Sequence, residues 1–408
     1  MKVLFIIPYM FLPPDSGNKN LLYNLLKYIT NEVVCDLILL VDDASDMTAI
    51  KAAVRREYPN VGNVIVFAKP RGYRLFLAMS QVFAIGYHPA LGRYRNSLLT
   101  NWLSINAVKG VYDLIHFDMF HVAPYRKFCK DIPTLLVSSD AYSKAAKDTI
   151  SLSRNVTSRL RTPIEAMLLR NFERKEYPKF NMVCTVSKVD AKYLQSVAPS
   201  TTLRTIGIAL DPDFSEREIA HFANDSDNKI LCTGNLGHGV ISDGIIDFLT
   251  RDLASIRALQ PDIKVTVLGK NPTAKLKRCI AEADGVEHVD YVKNYADFLD
   301  QDWVYVYPQR CATGLQTKVQ QAMALGLPVV GYEVSFGGLS VKSGTHCFIC
   351  NSGNNIVENV LSLVGDVDLR REIGLSAARY VREKFSIKRV GSQMLSLYDE
   401  AILLRKVD

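Results

Sequence analysis

The chain lacks any long uncharged apolar segment and any recognisable secretory leader. None of its apolar runs approaches the roughly 18 residues that a membrane-spanning helix needs. Met1–Pro8 has the pattern of a strand rather than of a signal peptide. We therefore expect a cytoplasmic protein, either free or peripheral on the inner face of the membrane.

Residue patterns that hold metals or dinucleotides are also missing. Only Cys347 and Cys350 form a C-x-x-C pair, which supplies too few ligands for structural zinc; the other cysteines are scattered as expected of reduced, buried thiols. Asp-x-Asp triplets begin at Asp211, Asp225, Asp300 and Asp366. None directly follows an apolar strand, and no G-x-G-x-x-G is present. We expect no metal ion and no cofactor.

Positive charge is concentrated in the first half. Residues 1–205 hold 27 lysines and arginines against 16 acidic residues, and residues 69–175 hold 17 against 7. This excess favours an anionic partner. Residues 69–102 mix basic and apolar side chains, as in a face that contacts an anionic membrane or a surface helix that packs on its own domain. No nucleic-acid recognition motif accompanies the charge, so nucleic acid is not an expected partner.

Strand and helix patterns alternate twice along the chain, which indicates two α/β domains with parallel sheets. The first half has predicted strands at residues 3–7, 36–41, 64–67, 114–117, 134–137 and 182–186, and helices at 19–29 and 47–57. The second half has strands at 230–233, 264–268, 286–291, 303–307, 329–332 and 347–350, and closing helices at 367–383 and 388–404. We predict a Rossmann-like domain at 1–206, a linker at 207–228 and a second Rossmann-like domain at 229–387.

A loop, a helix and a strand follow one another between Thr313 and Val330, in the segment T-G-L-Q-T-K-V-Q-Q-A-M-A-L-G-L-P-V-V. Gly314 lets the backbone approach a ligand, the first helical N–H groups lack internal partners, and Lys318 adds a positive charge one turn in. The segment is therefore either an anion-binding site or an ordinary solvated first turn.

This segment resembles the donor motif of retaining glycosyltransferases of family four, in the subgroup with T-G-I-Q-N-K-V-L-E-A-M-A. The matching positions are Thr313, Gly314, Gln316, Lys318, Val319, Ala322, Met323, Ala324, Gly326, Pro328 and Val329. The resemblance implies the GT-B fold, in which two Rossmann-like domains face each other and a C-terminal helix, here within 388–408, crosses back to the first domain. Gln321 departs from the family, because it stands where the members have a glutamate that grips the donor ribose, and Thr313, although it matches the subgroup, stands where many members have a second glutamate. Gln321 can hydrogen-bond a ribose hydroxyl, but without a negative charge.

The resemblance also assigns residues to roles. It implies donor contacts at Gly17, Lys19, Gly234, Lys270, Thr313, Gly314, Gln316, Thr317, Lys318 and Gln321, and an acceptor side at Ser16, His116 and Asp140. It places Asp118, with His121 as the alternative, near the donor sugar and its reacting carbon. A lone histidine in an apolar strand such as His116 is more often a core residue, and Asp140 is equally well explained as a helix N-cap.

The second domain carries few basic residues in its loops. After the glycine-rich turn Thr233–Gly239 there is no arginine or lysine before Arg251, where relatives carry two. A donor diphosphate would therefore be neutralised, without a metal ion, by two lysines and two helix starts. The lysines are Lys270 and Lys318.

We therefore predict a retaining glycosyltransferase that moves a sugar from a nucleotide sugar to a glycan or lipid-linked acceptor in cell-surface polysaccharide synthesis. Catalysis would depend on positioning and on stabilisation of the leaving diphosphate. Two alternatives stay open: a degenerate GT-B protein that binds a nucleotide or a protein partner, which Gln321 favours, and a GT-B sugar-nucleotide epimerase.

Overall fold

The computed structural model describes residues 1–14, 16–43, 46–70, 89–129, 131–152, 156–219, 229–237, 239–310 and 315–404. The chain forms two compact units. Unit 1 consists of Met1–Ala209 together with Ile387–Asp408, and unit 2 consists of Leu210–Ser386.

Unit 1 is built on a seven-stranded sheet in which every neighbouring pair is parallel. Its strands are β1 (Lys2–Ile7), β2 (Val34–Val41), β3 (Val64–Ala68), β4 (Leu114–Asp118), β5 (Thr134–Val137), β6 (Met182–Thr185) and β7 (Leu203–Thr205). The strand order is β3-β2-β1-β4-β5-β6-β7. Helices cover both faces of such a sheet, so its central strands are continuous apolar runs, and all five residues of β4 are buried.

The helices of unit 1 are α1 (Gly17–Glu32), α2 (Met47–Glu57), α3 (Ser97–Asn106), α4 (Tyr142–Leu152), α5 (Val156–Glu176), α6 (Lys188–Val197) and α15 (Ile387–Leu403), with 3₁₀ segments at Pro89–Tyr94, Phe120–Phe128 and Tyr177–Lys179. Three of these helices, α2, α3 and α6, begin at local capping residues. Asp46 and Asn96 accept from the third residues of α2 and α3. Ser187 does the same for α6, where it also bonds the Asp190 carboxylate.

The C-terminal helix α15 belongs to unit 1, although the whole of unit 2 precedes it in the sequence. It packs against α1, where the hydroxyls of Tyr28 and Ser392 are 2.8 Å apart. Gly391 permits this approach, because a Cβ there would lie 2.2 Å from Cδ1 of Tyr28. Farther along α15, the Tyr398 hydroxyl lies 2.7 Å from Nδ1 of His116 in β4. The helix therefore contributes to the core of unit 1.

Unit 2 repeats the architecture with a six-stranded parallel sheet. Its strands are β8 (Lys229–Thr233), β9 (Lys264–Leu268), β10 (Val286–Val289), β11 (Val304–Tyr307), β12 (Val329–Tyr332) and β13 (Phe348–Cys350), in the order β10-β9-β8-β11-β12-β13. Its helices are α7 (Pro212–Ser215), α8 (Gly239–Asp247), α9 (Leu253–Arg257), α10 (Ala274–Glu282), α11 (Tyr295–Leu299), α12 (Thr317–Ala324), α13 (Gly353–Gly365) and α14 (Val367–Lys384), with a π-helical turn at Phe248–Asp252 and a 3₁₀ turn at Glu333–Phe336.

The segment that precedes β8 is anchored to unit 2. Arg217 forms ion pairs with Asp297 at 2.5 Å and Asp300 at 3.5 Å, and its backbone carbonyl accepts from Arg382 at 2.7 Å. Within the predicted linker, α7 is a short helix and residues 220–228 lie outside the described part of the chain.

The predicted α/β fold with two parallel sheets is confirmed, including the C-terminal helix in the first unit. Individual elements differ in detail. β7 was not predicted, and β10 ends at Val289 rather than at residue 291.

Candidate functional site

Two glycine loops follow β8 and β9 in unit 2 and pack backbone against backbone. A Cβ on Gly269 would lie 2.1 Å from the carbonyl oxygen of Gly234, and a Cβ on Gly234 would lie 2.6 Å from Cγ2 of Ile241. The Gly234 N–H also donates to the Leu268 carbonyl at 3.1 Å. A larger residue at position 269 would have to displace the Gly234 loop, and one at position 234 would have to displace the Ile241 side chain, so the carboxyl ends of β8 and β9 lie close together.

Lys318 lies at the start of α12, above an aromatic ring of α11. Its Nζ is 3.5 Å from the centroid of the Tyr295 ring. The Tyr295 hydroxyl is 3.1 Å from Oγ1 of Thr233, the last residue of β8, so Lys318 is held next to the Gly234 turn. Burial lowers the pKa of Lys318 to about 8. Throughout the described ranges no carboxylate pairs with this ammonium.

A neighbouring hydrogen bond orients the residue before α12. The Tyr307 hydroxyl, at the end of β11, donates to Oε1 of Gln316 at 3.0 Å. Gln316 occupies the N-cap position and its side chain does not cap the helix, and Thr317 is the first helical residue. The first N–H groups of α12 are thus not capped by that side chain. Thr313 and Gly314 lie outside the described residues.

Gln321 presents a buried polar atom. Among the described residues its Oε1 has no hydrogen-bond partner. A buried acceptor without a partner costs about 1–3 kcal/mol, and a ligand hydroxyl would remove that cost.

Lys270 follows the Gly269 loop and is exposed. Its Nζ is 4.3 Å from the ring centroid of Tyr291, which is also exposed. Lys270 makes no ion pair within the described segments. The structure therefore shows two lysines at the carboxyl edge of the unit 2 sheet, Lys270 in the loop after β9 and Lys318 in the first turn of α12, which follows β11.

In unit 1, Asp118 ends β4 and accepts a hydrogen bond from the Tyr9 hydroxyl, in the loop after β1. Burial raises the pKa of Asp118 to about 7, although the Tyr9 hydrogen bond lowers it. The next residue, Met119, has φ 66° and ψ 154°, a conformation that side chains other than glycine rarely adopt. A titratable carboxyl is thus followed at once by a strained backbone.

His121 and His116 occupy different environments. The His121 ring is half-buried, with ring centroids 4.0 Å from Phe120 and 4.5 Å from Tyr94. His116 is buried between Phe5, on which it stacks at 4.5 Å, and the Tyr398 hydroxyl. Burial lowers the pKa of His116 to about 3, which keeps its ring neutral. His116 thus packs in the core of unit 1.

The loop after β1 leads into α1, as predicted from its turn residues. Ser16 occupies the N-cap without a side-chain cap, and Gly17 is the first helical residue. Lys19 lies one turn in and is half-buried. The carbonyl of Asn18 accepts from Tyr9 at 3.3 Å, so the same tyrosine contacts both this loop and Asp118.

Asp140 precedes α4 but does not cap it. The first turn is capped by Glu173 of α5, whose carboxylate accepts from the Ser143 N–H at 3.0 Å and from the Ser143 hydroxyl. Burial, with Asp190 nearby, raises the pKa of Asp140 to about 6, and burial raises that of Glu173 to about 7. Two carboxyls with raised pKa values, those of Asp140 and Glu173, thus lie at the start of α4.

Sequence reasoning missed Tyr9, Glu173 and Tyr295. Tyr9 and Tyr295 contact Asp118 and Lys318 only through the fold, and no local motif marks them. For Glu173 no local motif is a signal either, because it is one of three glutamates that stand among five basic residues in α5.

The described residues contain neither a metal-binding group nor a membrane-spanning helix. No three histidine, cysteine, aspartate or glutamate side chains come together as a metal-binding group there. In the same part of the chain, no helix is both long and apolar enough to cross a membrane.

Solved structures that share this fold are glycosyltransferases of GT-B architecture. Sucrose-phosphate synthase from Thermosynechococcus elongatus aligns with 99% of this chain and 100% of its own, at 14% identity and a TM-score of 0.68. Anabaena Alr3699/HepE in complex with UDP and glucose aligns with 98% of this chain and 99% of its own, at 14% identity and a TM-score of 0.61. The pneumococcal O-GlcNAc transferase GtfA, in complex with UDP and GlcNAc, covers 98% and 99% at 9% identity and a TM-score of 0.63. The predicted GT-B fold is confirmed.

Residues 227–366, which carry both glycine loops and Lys318, match the family model of Glycosyl transferases group 1. No curated protein matches the chain in sequence. The domain match gives the enzyme class, a glycosyltransferase, as the sequence predicted.

Proposed function

We propose that this protein is a retaining family-four glycosyltransferase that transfers a sugar from a nucleoside-diphosphate sugar to a glycan or lipid-linked acceptor in cell-surface polysaccharide synthesis. The observation that carries the proposal is Lys318, a half-buried ammonium without a carboxylate partner among the described residues, beside the glycine loop of a glycosyltransferase domain. A diphosphate would supply the missing negative charge.

The donor site in this proposal is formed by unit 2. Lys318, Lys270 and the start of α12 offset the charge that develops on the leaving diphosphate, so the site needs no metal ion. The amide of Gln321 receives a ribose hydroxyl at its Oε1, which has no hydrogen-bond partner among the described residues. UDP is the first nucleotide to test, because the solved structures of Anabaena Alr3699/HepE and pneumococcal GtfA contain it.

Unit 1 supplies the acceptor side and the group nearest the reacting carbon. We assign that group to Asp118, because its carboxyl is held by Tyr9 at the tip of β4 and its pKa of about 7 allows it to exchange a proton near neutral pH. His121 is the second candidate. Ser16 and Asp140 are proposed on the acceptor side.

Contact with an anionic membrane through residues 69–102 is part of the proposal, although residues 71–88 lie outside the described chain. Lys69 and Arg93 at its described ends both pair with Asp42, at 3.0 and 2.7 Å. Leu98 of α3 is 69% exposed and offers an apolar contact. Sedimentation with anionic and neutral vesicles tests this contact.

A calorimetric panel of UDP-, GDP-, ADP- and CMP-sugars tests the donor assignment, followed by donor-hydrolysis assays and NMR of the anomeric product. We expect one nucleotide class to bind, a loss of binding in Lys318→Gln, and retention of the anomeric configuration. No change in Lys277→Gln, an exposed lysine of α10, would show that general positive charge is not responsible. An inverted product would contradict the retaining mechanism.

The second candidate is a degenerate protein that binds a nucleotide without turning it over. Gln321 favours it, because an amide is a weaker acceptor than the carboxylate of the resembled family. Nucleotide-sugar binding without hydrolysis or transfer would support this candidate over the enzyme.

A further inference from the structure

Unit 1 contains an open cavity of about 680 Å³ beside His121. Tyr94, Asn96, Tyr125 and Phe128 are among the residues that line it. The Tyr125 hydroxyl accepts from the Asn96 N–H at 2.7 Å and donates to the Tyr94 carbonyl at 2.6 Å. The Asn96 side chain in turn caps α3 and donates to the Ala68 carbonyl. These bonds preorganise the aromatic wall.

The cavity is lined by more positive than negative charge. Its lining includes one carboxylate, Glu176, and four basic side chains: Arg95, Arg126, Lys127 and Lys179. Glu176 forms an ion pair with Lys179 at 2.6 Å. Arg95 and Lys127 make no side-chain hydrogen bond or ion pair in the part of the chain that the structure describes. Nζ of Lys127 lies 4.9 Å from the centroid of the Phe128 ring. At least two cations are therefore available to a ligand.

The dimensions and the chemistry of the cavity together define a ligand class. Its volume lies within the range of about 300–1,000 Å³ typical of small-molecule sites, and is larger than a phosphate alone requires. A single carboxylate would leave most of the positive charge unmatched, whereas a phosphate or diphosphate would not. Aromatic walls suit the sugar or isoprenoid that carries such a group.

We propose that this cavity binds a phosphate or diphosphate group of the acceptor. The inference rests on the proposed glycosyltransferase function and specifies its acceptor as an anionic one. His121 connects the two sites, because it lines the cavity and lies in the 3₁₀ segment Phe120–Phe128, which begins two residues after Asp118.

Inorganic pyrophosphate is the probe for the test, titrated calorimetrically into the full-length protein. Arg95→Gln/Lys127→Gln should bind it about tenfold more weakly or worse, because hydrogen bonds to charged groups are among the strongest that a binding site makes. The matched control is Lys188→Gln/Lys192→Gln, two exposed lysines of α6 in the same unit, which should bind like the wild type. Thermal melts establish that both variants fold.

Because pyrophosphate also resembles the donor diphosphate, Lys318→Gln is titrated in parallel. Wild-type affinity in Arg95→Gln/Lys127→Gln, or a loss confined to Lys318→Gln, would overturn the cavity assignment.

Tighter binding of geranyl diphosphate than of pyrophosphate would assign a lipid-linked acceptor, and equal binding would assign a phosphorylated glycan. Tighter binding of glucuronate than of either would refute the phosphate class.

A different measurement, the binding of nucleotide sugars to the wild type, tests the proposed function. If no nucleotide sugar binds the wild type, the donor assignment is wrong, whatever the cavity variants do with pyrophosphate. If a donor binds and is hydrolysed, but the affinity for pyrophosphate is the same in the wild type and in Arg95→Gln/Lys127→Gln, only the cavity assignment is wrong.

Discussion

At the scale of single residues, the charge of Lys318 is incompletely compensated by the protein. The Tyr295 ring stabilises the ammonium, but burial lowers its pKa to about 8 from an ordinary 10.5. The lysine is therefore mostly charged at pH 7 and loses its proton as the pH rises through about 8. A bound diphosphate stabilises the charged form and raises this pKa again, so donor binding and protonation are linked.

This linkage predicts that donor affinity falls above about pH 8, and that turnover falls with it. Lys318→Arg should remove the decline, because arginine stays charged. Lys318→Ala should lower turnover by ~10²-fold or more below about pH 8, the cost of removing one transition-state contact, and by less at higher pH, where the wild-type lysine has lost its charge too. The measurement is the pH profile of kcat/KM for donor hydrolysis, with Lys277→Gln as the control. A wild-type profile flat to pH 9.5 would contradict the role of Lys318.

Gln321→Glu tests the departure from the resembled family. The carboxylate would be a stronger acceptor for a ribose hydroxyl, so we expect donor affinity to rise by about tenfold. It would also be buried without a donor when no ligand is bound, so the free protein should melt at a lower temperature. Thermal shifts with and without nucleotide sugar measure both effects. Gln301→Glu, at an exposed site, should change neither.

If Gln321→Glu leaves donor affinity and turnover unaltered, the substitution has no functional meaning in this chain. The unpaired Oε1 would then be a structural cost only.

Asp118 affects stability as well as chemistry. Its pKa is about 7 in the folded protein and 3.8 in the unfolded chain, so folding favours the protonated form. This contribution is complete below about pH 4 and is lost as the pH rises through 7. Asp118→Asn keeps an acceptor for Tyr9 and cannot ionise. It should raise the free energy of unfolding at pH 8 by on the order of 4 kcal/mol, and at pH 5 by less than half of that.

Denaturant unfolding at both pH values checks this expectation. Asp262→Asn, at an exposed site in unit 2, should have no pH-dependent effect. An equal effect of Asp118→Asn at pH 5 and pH 8 would argue against a raised pKa.

At the scale of elements, the sequence predicts the bounds of strands that are compact apolar runs, but it does not predict a short edge strand that lacks such a run. Thr134–Val137, Lys264–Leu268 and Val329–Tyr332 have the predicted bounds because each is a short apolar run at the centre of a parallel sheet. Leu203–Thr205 was missed because it has three residues, with an exposed arginine in the middle. Edge strands pair through the backbone and need no such pattern.

In the candidate site too, the sequence predicts some residues and misses others. The glycine loops and Lys318 lie in local motifs, so the sequence predicted them. The partners that set their properties come from other elements: Tyr295 is 23 residues from Lys318, and Tyr9 is 109 residues from Asp118. Asp140 illustrates the limit, because the sequence offered it as a cap and the fold supplied Glu173 from another helix instead.

Close packing of α15 on α1 yields a prediction at this scale. Gly391→Ala adds a Cβ that would lie 2.2 Å from Cδ1 and 2.4 Å from Cγ of Tyr28. The gain in helix propensity is smaller than the cost of overpacking, so the protein should lose about 1–3 kcal/mol. Gly365→Ala, where a Cβ meets nothing within 4 Å, should be neutral or stabilising. Equal melting temperatures for the two variants would show that α15 can shift.

At the scale of the whole molecule, unit 1 is completed by residues that follow unit 2 in the sequence. The helix α15 supplies Tyr398, whose hydroxyl is the partner of the buried His116, and Gly391, which seats the helix on α1. Unit 1 is therefore incomplete until the whole of unit 2 has been synthesised. Unit 2 has a core of its own, formed by residues between 230 and 364.

Removal of α15 should consequently destabilise unit 1 and spare unit 2. In a chain that stops at Ser386, Tyr28 and His116 are left without their partners and the apolar surface beneath the helix is exposed, which costs far more than the removal of any single side chain. Hydrogen exchange followed by mass spectrometry should show fast exchange in β1 and β4 and near-native protection in β8 and β11. A chain that stops at Leu404 keeps the helix and should exchange like the full-length protein. Equal protection of β4 in both truncations would mean that α15 only covers a unit that is already stable.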